Sequence, residues 1–184
     1  NKKRSIVSFR EIIEQDIPEY TKMAIPVILG KDILGKSQII DIAKTPHLLI
    51  AGATGAGKSV CVNSLILSIL YKRSPRQVKM ILVDPKVVEL KLYNDIPHLL
   101  TPVITEPKKA LQALQYCLCE MERRYALLDG LGVRDISNYN KRIEERNICT
   151  EKLPYIVVII DEFADLMATS GRDLESIVAR LTAM

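Results

Sequence analysis

Long hydrophobic runs are missing from this sequence of 184 residues. No stretch approaches the roughly 18 consecutive apolar residues of a membrane-spanning helix, so none is predicted here. The start, Asn1-Lys2-Lys3-Arg4, has no apolar segment after it, and we therefore expect no signal peptide. Internal repeats and low-complexity tracts are also missing. With 48% hydrophobic and 26% charged residues, the composition is that of a folded globular domain.

Patterns for metal sites and for guanine recognition are missing as well. The spacing of the cysteines fits no zinc site, and His47 and His98 have no Cys or carboxylate at ligand spacing. We expect all four cysteines to be reduced and structural, as in a cytosolic protein: Cys61, Cys117, Cys119 and Cys149. The tetrapeptide Asn-Lys-x-Asp that reads guanine does not occur, which disfavours GTP as a ligand. The net charge of +4 is compatible with a nucleic-acid partner but does not argue for one.

Strands alternate with helices along the chain, which predicts an α/β fold with a largely parallel sheet flanked by helices. The predicted strands are 25–32, 36–41, 47–51, 78–83 and 155–160, and the predicted helices are 9–15, 58–72, 106–128, 136–145 and 173–184. The first two strands form a hairpin around the turn at Gly30–Gly35. Residues 47–51 are expected to be a buried parallel strand. We predict a lead-in segment over 1–45 and a core domain over 46–184.

Residues 52–59, which we call the phosphate loop, match G-x-x-x-x-G-K-[ST] in full. They are Gly52, Ala53, Thr54, Gly55, Ala56, Gly57, Lys58 and Ser59. Glycines let backbone N–H groups converge on phosphate oxygens, and the following helix directs its positive end to the same place. We expect Lys58 to bind the β- and γ-phosphates of ATP and Ser59 to bind Mg²⁺. A chance match occurs in roughly one chain of this length in a hundred.

Acidic residues follow two of the predicted strands. Asp161 and Glu162 end the strand 155–160, at the edge where parallel sheets bind ligands. Asp161 is expected to hold Mg²⁺ through water, and Glu162 to orient the water that attacks the γ-phosphate. The pair favours hydrolysis over transfer to a small acceptor. Asp84 and Lys86 follow the strand 78–83 on the same edge, but a charge pair on a turn is more often simply solvated.

The basic pairs on the long helix are expected to be solvated faces rather than DNA contacts. They are Lys108-Lys109 and Arg123-Arg124. Glu120 and Arg124 are spaced for an i,i+4 ion pair.

Several segments together resemble the FtsK/SpoIIIE family of DNA translocases. They are residues 46–52, 83–86, 96–103, 120–125, 138–140 and 154–167. The resemblance implies a RecA-like P-loop ATPase that forms a hexameric ring and moves double-stranded DNA in chromosome segregation and cell division. It also implies a role near the nucleotide, or in its coupling to DNA, for Asp84 and Lys86. A related ring ATPase that drives type VII-like protein secretion is the alternative.

Departures from the family pattern are mild in the phosphate loop and larger elsewhere. Ala53 and Ala56 replace residues that are usually Thr and Ser, and they remove no required backbone group. The family's membrane anchor, linker and winged-helix domain have no counterpart here, so we expect a cytoplasmic motor portion of a protein anchored in the bacterial inner membrane. A strand expected between the strands 47–51 and 155–160 would lie beyond Met184, which implies a truncated core. We expect Lys58, Ser59, Asp161 and Glu162 to converge on one edge.

Overall fold

The computed structural model describes residues 6–53 and 55–183. The basic start at Asn1–Arg4, Thr54 of the phosphate loop and the predicted helix end at Met184 therefore lie outside the described residues. The chain divides into two compact units, residues 1–74 and 75–184. The predicted division into a lead-in and a core at 45/46 stays a prediction.

The described part of unit 1 contains a β-hairpin and three α-helices. The helices are α1 (Phe9–Ile13), α2 (Glu19–Lys22) and α3 (Lys58–Lys72), and the strands are β1 (Pro26–Lys31) and β2 (Ser37–Asp41). The strands pair antiparallel, as the sequence predicted, with a register shift between Ile28 and Gly30. Asp41 ends the hairpin, and its buried carboxylate accepts the N–H groups of Ala24 and Ile25.

Two serine hydroxyls join α3 to β1, and we call this contact the serine clamp. Ser68 Oγ accepts the N–H of Ile28 at 3.0 Å, and Ser64 Oγ donates to the carbonyl of Ile28 at 2.9 Å. Ser68 Oγ also donates to the carbonyl of Ser64 at 2.6 Å. The apolar residues on one face of this helix are buried: Val62, Leu65, Ile66 and Ile69. The clamp thus fixes the helix against one residue of the strand.

The C-terminal end of α3 is held by Arg73. Its guanidinium donates to the carbonyls of Ala24 at 2.8 Å and Tyr20 at 2.7 Å, and also to that of Met23. Burial lowers the pKa of Arg73 from its ordinary value. The segment that links α2 to β1 is therefore fastened to the end of the helix.

The predicted strand over 47–51 is wrong. Residues 46–53 are assigned to no strand, and 47–49 are exposed, with Leu49 at 84%. A strand is stable only when a neighbour satisfies its N–H and C=O groups. In the described residues the ladders join β1 to β2 and β3 (Val78–Val83) to β4 (Tyr155–Ile160), so this segment has no ladder partner.

Unit 2 centres on the parallel pair β3 and β4, whose bounds agree with the prediction. The register runs from Val78 opposite Tyr155 to Val83 opposite Ile160. The other edge of β3 carries backbone hydrogen bonds with residues 98–104, including Asp84 N–H to Ile104 O at 2.8 Å. The predicted parallel sheet is thus confirmed for β3 and β4.

Helices α4 (Pro107–Gly130) and α6 (Phe163–Ala183) cover this pair. They share one core with the two strands, and its buried members are Ile81, Val83, Ile104, Ala110, Leu114, Leu118, Leu166, Leu174 and Ile177. The N-cap of α4 is Glu106, so the helix begins one residue after the predicted start at 106 and ends two residues after the predicted end at 128. Tyr125 on this helix is 44% exposed. None of the helices in the described ranges is long and apolar enough to cross a membrane.

The last helix begins earlier than predicted. Residues 163–169 are already helical, and the predicted start near Asp173 follows a kink at Ser170, whose φ of −141° is not helical. Ser170 thus separates two helical segments, and Leu166 on one side and Leu174 on the other enter the same core.

Helix α5 (Ile136–Glu145) has the predicted bounds and closes a smaller core beside the end of α4. Asn140 makes two hydrogen bonds to Leu153: its Oδ1 accepts the Leu153 N–H at 2.7 Å and its Nδ2 donates to the Leu153 carbonyl at 2.8 Å. Asp135 caps the helix by accepting the N–H of Asn138 at 2.8 Å. These bonds fix the loop that leads into β4.

Arg124 was predicted on a solvated face, and for this residue the prediction is wrong. Its side chain is only 12% exposed and donates to the carbonyl of Pro154 at 2.6 Å. The predicted i,i+4 pair with Glu120 is confirmed at 2.7 Å. Arg123 makes a two-pronged contact with the same carboxylate at 2.7 and 2.8 Å. Hydrogen bonds from Arg123 and then Arg124 lower the pKa of Glu120 to about 2.

Candidate functional site

The phosphate loop is an exposed turn that runs directly into α3. Residues 51–53 and 55–57 are all exposed, and the Ala56 N–H donates to the Ala53 carbonyl at 2.9 Å. Gly57 is the N-cap of α3, with φ 96° and ψ 16°, and Gly55 has φ 80°. These left-handed conformations are disfavoured for residues with a Cβ, which explains glycine at both positions.

Lys58 and Ser59 form the first turn of α3 and are half-buried. The first four N–H groups of an α-helix have no partner within the helix, and the helix dipole is positive at this end. The helix has 15 residues and is held by the serine clamp, so its start is well supported. In unit 1, the residues predicted to bind phosphate thus lie on an exposed loop at a helix N-terminus.

Asp84 lies at the carboxyl end of β3 and is fully buried. Its Oδ2 accepts the N–H groups of Glu89 at 3.0 Å and Leu90 at 2.9 Å. Its Oδ1 is buried and has no hydrogen-bond partner among the described residues. The Val87 N–H, on a residue with φ 58°, donates to the Asp84 carbonyl at 3.2 Å. Asp84 therefore closes the loop 85–90 onto the strand.

Asp161 and Glu162 end β4, on the same edge of unit 2 as Asp84. Val83 and Ile160 are register partners, and the Asp161 N–H donates to the Val83 carbonyl at 2.9 Å. Asp161 is buried, with 7% exposure. Glu162 has φ 53°, a left-handed conformation in a residue that is not glycine. Such backbone strain occurs most often at functional sites.

Lys86 brings three charged side chains of unit 2 together. Its Nζ lies 3.5 Å from Glu162 Oε2 and 3.5 Å from Asp165 Oδ2. The carboxylates of Asp165 and then Glu162 raise the pKa of Lys86 above its ordinary value, so this residue is a cation at neutral pH. We call Lys86, Glu162 and Asp165 the charged triad.

Asp165 was not among the residues predicted for the site. Its signal in the sequence is its spacing, because a residue three positions after Glu162 lies on the same face when both stand at a helix start. That signal was hidden, since the helix was predicted to begin ten residues later. The mutual placement of the phosphate loop with Asp161 and Glu162 stays a prediction.

Comparison with known protein families gives one match over nearly the whole chain. A model described as the FtsK/SpoIIIE family matches residues 9–184. DNA translocase FtsK of Treponema pallidum (strain Nichols) is 68% identical over 184 residues, which are 100% of this chain and 23% of that protein. DNA translocase FtsK of Borreliella burgdorferi is 60% identical over 185 residues, with the same shares. The chain thus spans 23% of the length of these curated relatives.

Solved structures with a similar fold are ATPases and a coupling protein. The conjugation coupling protein TcpA, in a monomer form with ATPgS, has a TM-score of 0.65 and 31% identity, covering 88% of this chain and 43% of its own. The cytoplasmic domain of the Thermomonospora curvata type VII secretion ATPase EccC has a TM-score of 0.74 and 22% identity, covering 96% and 23%. At that identity the second likeness shows the fold alone. The predicted fold class, a RecA-like α/β P-loop NTPase, is confirmed.

Proposed function

Because the chain belongs to the FtsK/SpoIIIE family, we propose that it is the ATP-hydrolysing motor segment of a translocase for double-stranded DNA. The observation that carries this proposal is 68% identity, over the whole chain, to a protein named as a DNA translocase. The corresponding cellular role is chromosome segregation at cell division. The family resemblance supports a homo-oligomeric, hexameric ring around the DNA. It also supports a cytoplasmic position for this segment in a protein anchored in the bacterial inner membrane.

The phosphate loop is proposed to bind the phosphates of ATP. Its exposed backbone and the two glycines in left-handed conformation support this role, since N–H groups in such a turn can converge on anionic oxygens. Lys58 adds a positive charge at the start of α3, where the helix dipole also favours an anion. Asp84 and Lys86 are proposed to act near the nucleotide, and the closed loop 85–90 supports a positioning role for Asp84.

Ser59 is proposed to bind Mg²⁺ through its hydroxyl, and Asp161 is proposed to hold the ion through its water shell. A hydroxyl and a carboxylate suit this ion, which prefers oxygen donors and keeps several waters. No cluster of three or more His, Cys, Asp or Glu that could hold a metal occurs in residues 6–53 and 55–183. When bound, Mg²⁺ would neutralise charge on the phosphate oxygens.

Glu162 is proposed as the general base of hydrolysis. Its carboxylate accepts a proton from water as the water oxygen forms a bond to the γ-phosphorus. The bond from that phosphorus to the bridging oxygen breaks, and ADP leaves with the electron pair. The position of Glu162 at the end of β4, next to buried Asp161, supports this assignment.

Protein secretion by a type VII-like ring ATPase is less well supported. It rests on a likeness to EccC at 22% identity, whereas the DNA translocases reach 68%. Stimulation of ATP turnover by double-stranded DNA separates the two functions. We expect clear stimulation, and turnover indifferent to DNA would favour the secretion ATPase.

Two variants of the full-length protein test the motor assignment. Lys58→Ala should abolish ATP hydrolysis and weaken nucleotide binding, because it removes the cation of the phosphate loop. Glu162→Gln should retain ATP binding while hydrolysis falls by at least about a hundredfold, the usual scale for loss of a general base. Unchanged turnover in a folded Lys58→Ala variant would contradict the proposal. Loss of ATP binding in Glu162→Gln would assign Glu162 to structure or to the metal.

A further inference from the structure

The charged triad contributes little to stability. Lys86 is 53% exposed in its side chain, and Glu162 and Asp165 are 33% and 41% exposed. Ion pairs at this exposure add little to stability, because water screens the charges and ordering the side chains costs entropy. The relevant property of the contact is geometric, because it places an ammonium group beside the Glu162 carboxylate.

Lys86 lies beside Glu162 on a loop that is fixed by several hydrogen bonds. Buried Asp84 holds two N–H groups of that loop, and the Val87 N–H closes the turn directly after Lys86. The parallel register of β3 and β4 brings the ends of both strands to one edge. On the far side, Asp165 lies in the first turn of α6 and contacts the same ammonium. The ammonium is thus held from two elements.

The orientation of the Glu162 side chain decides whether its carboxylate can act as a base. Its side chain has three rotatable bonds, and its backbone is in the left-handed conformation, with φ 53°. The backbone conformation affects the direction in which the side chain leaves the chain. A general base acts only when its carboxylate lies within hydrogen-bond reach of the attacking water. A misplacement of about 1 Å in such a group can lower a rate by roughly a hundredfold.

We propose that Lys86 is a positioning residue for Glu162, holding the carboxylate in the orientation in which it accepts the proton of water, while Asp165 fixes Lys86. This inference rests on the proposed function of Glu162 as the general base. It gives Lys86 a contact with the base rather than with the nucleotide. Loss of Lys86 should therefore lower kcat and leave the binding of ATP in place.

Steady-state ATPase assays of the full-length protein test this role. Lys86→Ala should lower kcat by at least about tenfold, with KM for ATP and Kd for a non-hydrolysable ATP analogue within about twofold of wild type. Lys86→Arg should restore most of kcat, because a guanidinium can pair with both carboxylates. Lys109→Ala is the matched control: this lysine also forms an exposed ion pair, with Glu106, and kcat should not change.

A double-variant comparison separates positioning from a general structural effect. In the Glu162→Gln background, Lys86→Ala should not lower the residual rate further, because residues that act through one another are not additive. An unchanged kcat in Lys86→Ala, or a rise of KM and Kd in parallel, would overturn the inference. So would a Lys86→Arg variant as impaired as Lys86→Ala. If Lys58→Ala and Glu162→Gln behave as expected, such results refute the role of Lys86 alone.

Discussion

Removing the Ser68 hydroxyl should loosen the helix that carries the phosphate loop. In Ser68→Ala the N–H of Ile28 loses its acceptor, and Ile28 is 1% exposed, so water cannot replace it. A buried polar group without a partner costs about 1–3 kcal/mol. The higher helix propensity of alanine returns about 0.5 kcal/mol. We therefore expect the free energy of unfolding to fall by about 0.5–2.5 kcal/mol.

Ser64→Ala is the matched control for this experiment. Ser64 donates to the carbonyl of Ile28, and a carbonyl with a missing partner is less costly than an orphaned N–H. The same gain in helix propensity should bring this variant within about 0.5 kcal/mol of wild type. Urea denaturation followed by far-ultraviolet circular dichroism gives the free energies, and hydrogen exchange of the Ile28 amide reports the local effect. Equal losses in both variants, or unaltered exchange in Ser68→Ala, would refute the reasoning.

Two further predictions concern the phosphate loop and the α4 ion cluster. Gly57→Ala places a Cβ on a residue with φ 96°, which costs about 1–3 kcal/mol, so the Kd for ATP measured by calorimetry should rise at least about fivefold. Gly171→Ala is the control, because a methyl group there meets no atom within 4 Å, and its Kd for ATP should be unchanged. Hydrogen bonds from Arg123 and Arg124 lower the pKa of Glu120 from 4.5 to about 2. The ionised carboxylate therefore stabilises the fold above pH 4.5, and this contribution is lost as the pH falls towards 2. Glu120→Gln should therefore have a lower Tm than wild type at pH 7, and the difference should shrink on acidification; a constant difference across this range would contradict the assignment.

The elements that the sequence predicted well are those whose pattern is complete within the element. The bounds of α3, α5, β3 and β4 agree with the prediction. In α3 the apolar residues recur at helical spacing, and in β4 a run of β-branched residues is bounded by Pro154 and Asp161. The spacing of apolar residues and the residues that bound each element were sufficient to predict these elements.

The wrong predictions depended on neighbours that a local pattern does not contain. The apolar residues Leu48 and Leu49 led to the prediction of a strand. A strand also needs a hydrogen-bonding partner, and none of the ladders in the described residues includes this segment. Arg124 was predicted to be solvated, because its hydrogen-bond acceptor, the carbonyl of Pro154, is 30 residues away in the sequence and does not belong to the local pattern. The triad was missed for the same reason: its members lie on two separate segments that only the β3–β4 register brings together.

The serine clamp also has a mechanical consequence. Its hydroxyls, one helical turn apart on α3, engage both the N–H and the carbonyl of the single residue Ile28. Slippage of the helix by one turn, about 5.4 Å, would break both bonds, whereas an apolar contact alone is non-directional and tolerates sliding. A force applied along α3 at Lys58 is therefore transmitted to the hairpin through the two hydrogen bonds to Ile28. This joint is therefore stiff along the helix axis.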